Sequence, residues 1–338
     1  MTLIWNAANS QQSDAVELLS RRLRALSSQW REMLNHDGMR VFCADLRAGS
    51  LETYALADSS GVVLGALFER NKDPEDQTPS RKAILGLHET ASIVDSQGRW
   101  LVTNCWGNYV AFVLGPGGHR KWIVKDPAGD LPCFNTQYRG VSLFFSCIAD
   151  CMNLQLLSFT INRSYLNSRL WDGGSTHEHD PLQEVSEVFR GECLEIDPAS
   201  EPALISRRFH WTPLSFLKSG NAIEDPDYAA RAMRATVRAA THSMANCHSA
   251  LLLRLSGGLD SSIVNGCLKD APTNPRVTCY TYFNPRGRSD ERPWASLAAK
   301  HAGHEHVECA TVPEDLRLGA ALQMPPSVGP ASVLEFLQ

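Results

Sequence analysis

The chain has 338 residues, enough for two cores of ordinary domain size. Its hydrophobic fraction of 43% and charged fraction of 20% are those of a soluble globular protein. A formal net charge of −5 with no long basic run argues against nucleic acid as the main partner.

The opening, MTLIWNAANSQQSDAVELL, lacks the basic end and continuous apolar stretch of a secretory signal. No segment approaches the roughly 18 apolar residues that a membrane span needs. Ten cysteines are scattered without a C-x-x-C unit, and the nearest pair, Cys147 and Cys151, is too isolated for zinc. Reduced thiols and a cytoplasmic protein without membrane partners are expected.

Residues 41–150 read as short β-type runs separated by turns: MRVFCADL, GVVLGALFE, YVAFVLG, RKWIVKD and VSLFFSC. GPGGH at 115–119 reads as a hairpin turn, and KDPAGDLPCF at 125–134 as a loop before another strand. GECLEI at 191–196 is one more strand candidate. The first 210 residues therefore predict two layers of antiparallel sheet with few helices. A polar connector over 211–225 follows.

Asp225 and Pro226 then form a cap and first-turn pair for a helix. Its apolar stripe is expected at Ala229, Met233, Val237, Ala240 and Met244, with Arg231, Arg234 and Arg238 as a solvated stripe. Strand 251–255, helix 261–269, strand VTCYTYF (277–283), helix PWASLAAKHA and strand HVECATV come next. Alternating strands and helices predict a parallel, doubly wound sheet over 226–338.

Between the first of these strands and its helix stands SGGLDSS, residues 256–262. A glycine turn from a parallel strand into a helix presents free backbone N–H groups, and the helix dipole favours an anion there. Gly257 and Gly258 allow close backbone approach. The hydroxyls of Ser256, Ser261 and Ser262 add neutral donors around Leu259. The Asp260 carboxylate would repel a bare phosphate, so it implies a bridging Mg²⁺. The pattern predicts a pyrophosphate and magnesium cradle, and it is not the Walker loop.

Arg254 interrupts an otherwise apolar strand. It reads either as a structural ion pair within the sheet or as a contact to a phosphate or substrate carboxylate. HAGHEH (301–306) reads as a helix end, with Gly303 at the left-handed cap, in preference to a metal site. Asp290 and Glu291 complement the dipole of the helix they precede.

SGGLDSS resembles the pyrophosphate loop (PP-loop) of ATP pyrophosphatases, and the chain is most similar to the asparagine synthetase superfamily. WGNYVAFVLGPGGHRKWIVKDPAGDLPCF resembles that family's strand pair leading to an R-D-x-x-G-x-x-P loop. LFFSCIADCM resembles its F-A-S-E-I-K-A-L segment, FRGECLEI its P-G-x-x-L strand, and SDERPWASLAAKHAGHEHVE its D-E-x-x-x-A helix. The resemblance covers most of 95–310. It implies a glutaminase-like domain over 1–210 and an ATP pyrophosphatase domain from 226. ATP and Mg²⁺ are the implied cofactors, Asp260 the implied catalytic metal ligand, and residues 256–262 the phosphate contacts. The backbones of Arg254 and Tyr282 would contact adenine. Asp290 and Glu291 would lie close to the nucleotide.

Departures from the family pattern point to a subfamily. Thr2 stands where glutamine-using members have a nucleophilic cysteine, and the first cysteine, Cys43, lies inside a predicted strand. The glutamine-holding N-G-E-I-Y-N motif has no counterpart, and the G-x-C-x-G elbow of GMP synthetases is absent. Lasso peptide cyclases and β-lactam synthetases share this loss, because their own substrate supplies the amine. LGALFERN after an Asp-Ser-Ser-Gly turn resembles the lasso cyclases. The resemblance implies a ligase that adenylates an Asp or Glu side chain of a precursor peptide. It would then close a macrolactam with the peptide's N-terminal amine, releasing AMP and pyrophosphate. A leader-processing protease or peptide-recognition protein would be a partner. An asparagine or β-lactam synthetase using ammonia or an internal amine is the alternative within the family. A truncated, non-catalytic peptide-binding homologue is the alternative outside enzymes. The family's downstream Gly-Gly-Asp segment is not found before SVLEFLQ, so the expectation is a synthetase domain represented by its first part.

Overall fold

A computed structural model of the chain describes residues 1–44, 51–172, 181–199, 204–217, 222–285 and 290–310. They fall into two units, one drawn from residues 1–67 and 82–217 and the other from 68–81 and 222–310. The expected segments beyond residue 310, and connector residues 218–221, lie outside the described residues.

The first unit begins with β1 (Thr2–Ile4), α1 (Ser10–Leu26), β2 (Trp30–His36), β3 (Met39–Ala44), β4 (Thr53–Ala55) and β5 (Gly61–Glu69). It continues with α2 (Leu87–Asp95), α3 (Arg99–Asn104), β6 (Cys105–Leu114), β7 (Lys121–Lys125), β8 (Phe134–Tyr138) and β9 (Val141–Phe145). The helices α4 (Ile148–Asn153) and α5 (Arg163–Asp172) precede β10 (Ser186–Glu187), β11 (Glu192–Asp197) and β12 (Leu204–Phe209). Two six-stranded sheets result, in the orders β10-β8-β9-β1-β3-β2 and β12-β11-β7-β6-β5-β4.

Strand pairing is antiparallel, as in β1 with β3 and β9, and β7 with β6 and β11. Alternation along each strand divides the apolar side chains between faces. Ile4, Val41, Val62, Leu64, Phe112 and Ile123 meet in the core between the sheets. Their neighbours turn outward: Leu3 and Phe42 meet Val16, Leu19 and Leu23 of α1. Val63, Ala111 and Val113 meet Ile93 of α2 and Leu101 of α3. Burying each such side chain contributes about 1.5–3 kcal/mol.

The unit is thus four layers, helix–sheet–sheet–helix, where two sheet layers with few helices were expected. The outer strand faces are apolar and demand a cover. The stripe Val16, Leu19, Leu23, with the Asn9 side chain capping Gln12 N–H, supplies one. The first unit also extends into the expected connector, as far as residue 217 among the described residues. The N–H groups of His210 and Trp211 both donate to Gly191 O, and Thr212 caps a 3₁₀ turn at Pro213–Phe216.

In the second unit, α6 (Pro226–Ala245) precedes β13 (Ala250–Arg254), α7 (Leu259–Lys269), β14 (Arg276–Phe283), α8 (Arg292–Ala302) and β15 (Glu305–Ala310). Asp225 caps α6 and Pro226 opens it, as the sequence predicts. The stripe that α6 buries is different: Ala232, Ala235, Ala239, His242 and Ala245 face inward, while Met233 is 71% exposed. Close packing selects the alanines, and His242 Nε2–H can donate to Cys267 O at 2.8 Å only at that distance. Arg231 and Arg234 are exposed and Arg238 half-buried, in keeping with a solvated stripe, and Arg231 and Arg238 make surface ion pairs with Glu75 and Asp270. Residues 68–81, from the last two residues of β5 onward, were expected in the first domain but belong to this unit, where Ser80 N–H donates to Ser243 Oγ at 2.8 Å.

The three strands are parallel and in the order β13-β14-β15. Consecutive order with right-handed crossovers puts both crossover helices on one side. A single helical layer therefore packs on Leu251, Leu253, Val277 and Cys279. On the opposite face Leu252 is 77% exposed. Among the described residues the sheet is covered on one face, where a doubly wound sheet is covered on both. No helix among them is long and apolar enough to cross a membrane.

The reversed stripe of α6 is directly testable. Ala235→Leu should cost roughly 1–3 kcal/mol by overpacking, whereas Met233→Gln should stay within about 0.5 kcal/mol. Urea unfolding of both variants measures the difference. Equal losses would contradict the assignment of faces.

Candidate functional site

The end of β13 delivers the chain into SGGLDSS. Leu255 N–H makes the last sheet bond, to Tyr280 O at 2.9 Å. Gly257 then takes φ +75°, Gly258 returns to extended backbone as the N-cap, and α7 begins at Leu259. A Cβ on Gly257 would lie 2.6 Å from Ala295 N and 2.6 Å from Trp294 Cβ, so the turn rests against the start of α8. At Gly258 a Cβ would meet only Ser256 Oγ, at 3.2 Å. Gly257 is the position where the turn requires glycine.

The first α7 bond runs from Ser262 N–H to Gly258 O, at 3.2 Å. The amides of Leu259, Asp260 and Ser261 precede it and have no acceptor within the helix. The dipole of an 11-residue helix adds positive potential at the same point. Asp260 is exposed in this first turn and has no ion-pair partner among the described residues. Leu259 is 77% exposed.

Two of the three hydroxyls have internal work. Gly258 N–H donates to Ser256 Oγ at 3.2 Å, Ser256 N–H to Ser261 Oγ at 3.3 Å, and the two oxygens lie 3.1 Å apart. They brace the loop as well as lining it. Ser262 is half-buried.

Arg254 lies on the sheet face that no described helix covers, its guanidinium 5.5 Å from the Tyr282 ring centre; Tyr280 meets Tyr282 edge-on. Its break in the apolar run follows from the open face, which leaves every second side chain of β13 exposed. Arg292, which the sequence did not single out, organises the start of α8. It binds Asp290 at 2.8 Å and Glu308 at 3.3 Å and stacks 3.8 Å from the Phe283 ring centre. The hydrogen bonds from Arg292 hold the Asp290 carboxyl below its ordinary range. Glu291 is the N-cap residue of α8 and accepts from Ala295 N–H through its carbonyl. The spacing D-x-R was the available signal for this pair.

Gly303 caps α8 at φ +77°, as expected. His304 faces Asn265 at 2.8 Å and His306 faces Thr281 at 2.8 Å. They point to different partners, and no group of three potential metal ligands forms among the described residues.

In the first unit the chain start is an integral part of the sheet. The Met1 amine donates to Phe42 O at 2.6 Å, and Thr2 is 1% exposed. Burial lowers the pKa of that amine. A cavity of about 90 Å³ lies beside it, lined by Met1, Thr2, Cys43, Phe144 and Asp150 among others. Burial pushes the Cys133 thiol up to about 12 and Cys193 to about 11. Neither is a nucleophile near neutral pH.

Gly257→Ala should destabilise the second unit and distort the loop, because the new methyl meets backbone on one side and disfavours φ +75° on the other. Thermal melting and loop amide shifts read this, and an unchanged loop would contradict the packing. Maleimide at pH 8 should mark exposed Cys147 and spare Cys133 and Cys193, since burial raises their thiol pKa values above that pH. Peptide mapping that finds Cys133 modified in folded protein would contradict this.

Comparison with known proteins adds a family for one segment. A search of curated proteins finds no match. Among solved structures the chain is similar to one described as the allosteric regulatory enzyme of purine biosynthesis, at 10% identity and TM-score 0.29, over 77% of this chain and 62% of that one. It is also similar to glutamine phosphoribosylpyrophosphate amidotransferase from B. subtilis, at 11% identity and TM-score 0.29, over 80% of this chain and 51% of that one. The chain thus spans 62% and 51% of the length of these two proteins. Residues 232–323, which include β13, SGGLDSS and α7, match the asparagine synthase family.

Proposed function

We propose that the protein is an ATP-dependent, AMP-forming amide ligase that uses residues 256–262 to hold the pyrophosphate end of ATP. The observation that carries this is the combination of first-turn amides of α7 that have no acceptor within the helix with an exposed Asp260 that has no ion-pair partner among the described residues. Amides and dipole attract an anion, whereas the carboxylate attracts a cation. A magnesium-bound polyphosphate satisfies both at once, so the residues fit the metal that the proposal requires.

When bound, Mg²⁺ supplies charge neutralisation of the phosphates, and Asp260 would hold it. The remaining work falls to the chain. The amides of Leu259, Asp260 and Ser261 donate to the departing pyrophosphate oxygens, on which negative charge grows as the substrate carboxylate attacks the α-phosphorus. Ser256 and Ser261 hold the loop, and Ser262 offers a further hydroxyl. The uncovered face bearing Arg254 and Tyr282 is the proposed side for adenine.

For the substrate we propose a precursor peptide, activated at an Asp or Glu side chain and closed by its own N-terminal amine. Support comes from the first unit. Thr2 is buried in β1, and the thiols of Cys133 and Cys193 are buried with raised pKa values, so none of these three side chains is placed to release ammonia from glutamine. An amine carried by the substrate removes the need for that ammonia. A cytoplasmic setting and a leader-processing or peptide-recognition partner belong to the same proposal.

Mg·ATP with a peptide bearing a free N-terminal amine and an internal Asp or Glu should yield AMP, pyrophosphate and a product lighter by one water in mass spectrometry. Asp260→Ala should abolish AMP formation while thermal stability is retained, and Ser256→Ala should cost about 0.5–1.5 kcal/mol of transition-state stabilisation. Undiminished AMP release by Asp260→Ala would overturn the metal assignment. Asparagine formed from aspartate and ammonia, with no peptide product, would replace cyclisation by an ammonia-dependent synthetase.

A further inference from the structure

We propose that Thr281 and His306 are positioning residues for the loop, acting through the single peptide plane that joins Leu255 to Ser256. The proposal deepens the ligase reading and rests on it for the loop's role. Thr281 Oγ1 lies 2.5 Å from Leu255 O and 2.8 Å from His306 Nε2, and Thr281 is 2% exposed. A carbonyl oxygen only accepts, so the one hydroxyl proton of Thr281 points to Leu255 O. Thr281 must therefore accept from His306, which fixes the proton on Nε2 of that ring. The direction of the relay is His306 to Thr281 to Leu255.

A peptide group is planar, so fixing the Leu255 carbonyl also fixes the N–H of Ser256. That N–H points to Ser261 Oγ at 3.3 Å. Thr281 and Ser261 thus grip opposite edges of one plane, immediately before the left-handed Gly257. Leu255 N–H is held independently by Tyr280 O. Rotation of this plane would turn Ser256 away from Ser261 and shift the α7 amides that receive phosphate. A separate network fixes α7 itself: Asn265 donates to Ala298 O at 2.9 Å and faces His304 at 2.8 Å. The second histidine of the G-H-E-H segment thereby gains a role distinct from metal binding.

The test compares Thr281→Val, which keeps the shape and removes the hydroxyl, with Thr281→Ser, which restores it. Amide hydrogen exchange over Ser256–Ser261 and calorimetric affinity for Mg-pyrophosphate are measured alongside melting. Thr281→Val should speed exchange at Ser256 and weaken Mg-pyrophosphate, each by about tenfold, and Thr281→Ser should recover both to within about twofold. His306→Gln, whose side-chain amide can donate in place of Nε2–H, should resemble wild type, and His306→Leu should resemble Thr281→Val. The histidine pair keeps the test open if Thr281→Val fails to fold. Wild-type exchange in Thr281→Val, or equal effects of His306→Gln and His306→Leu, would overturn the relay. If exchange responds as stated but wild-type protein does not bind Mg-pyrophosphate, the phosphate reading falls and the positioning of the loop stands.

Discussion

The second unit is organised around the close approach of Gly257 to the backbone of Trp294 and Ala295. Parallel strands in consecutive order bring α7 and α8 side by side on one face of the sheet, and the turn into α7 must fit against the first residues of α8. A residue without a side chain and with positive φ solves that problem. Once it is solved, the remaining features follow from geometry. The first-turn amides of α7 are left without acceptors within the helix, Asp260 stands in the same turn, and the peptide plane before the turn is held at both edges.

The first unit has a different logic. Its two sheets share an inner core and each carries helices on its outer face. Met1 lengthens the ladder between β1 and β3, with its amine and carbonyl both paired to Phe42. A residue recruited in this way into the sheet is structural. The buried thiols around it are silent for the same reason that the core is stable: burial in apolar surroundings disfavours the thiolate. In the proposed account, this unit has kept its layers while the amine comes from the substrate.

Much of the plan was legible in the sequence, and the misses have definite causes. GVVLGALFE coincides with β5, Asp225–Pro226 with the start of α6, and Gly303 with the end of α8, because β-branched runs, caps and left-handed positions are local signals. The inward face of α6 was misread because methionine outweighs alanine in an apolar pattern, whereas close helix packing favours alanine. Covering helices α2 and α3 are short, with nine and six residues, and hold their place by contact with the outer sheet face. In the loop, residue types indicated glycine, hydroxyl and carboxylate roles. The bracing of Ser256 by Ser261, and the reach of Thr281 from the neighbouring strand, depend on contacts that the local sequence does not display.

In the proposed function the turn at Gly257 and the first turn of α7 together hold the polyphosphate of ATP through magnesium. A crystal structure of the protein with Mg²⁺ and a non-cleavable ATP analogue, methylene-bridged between the α- and β-phosphorus atoms, tests it most directly. Phosphate oxygens are expected within hydrogen-bonding distance of the α7 first-turn amides, with a magnesium ion in contact with Asp260. A nucleotide bound elsewhere, or phosphates seated on this loop with Asp260 turned away from the metal, would contradict it.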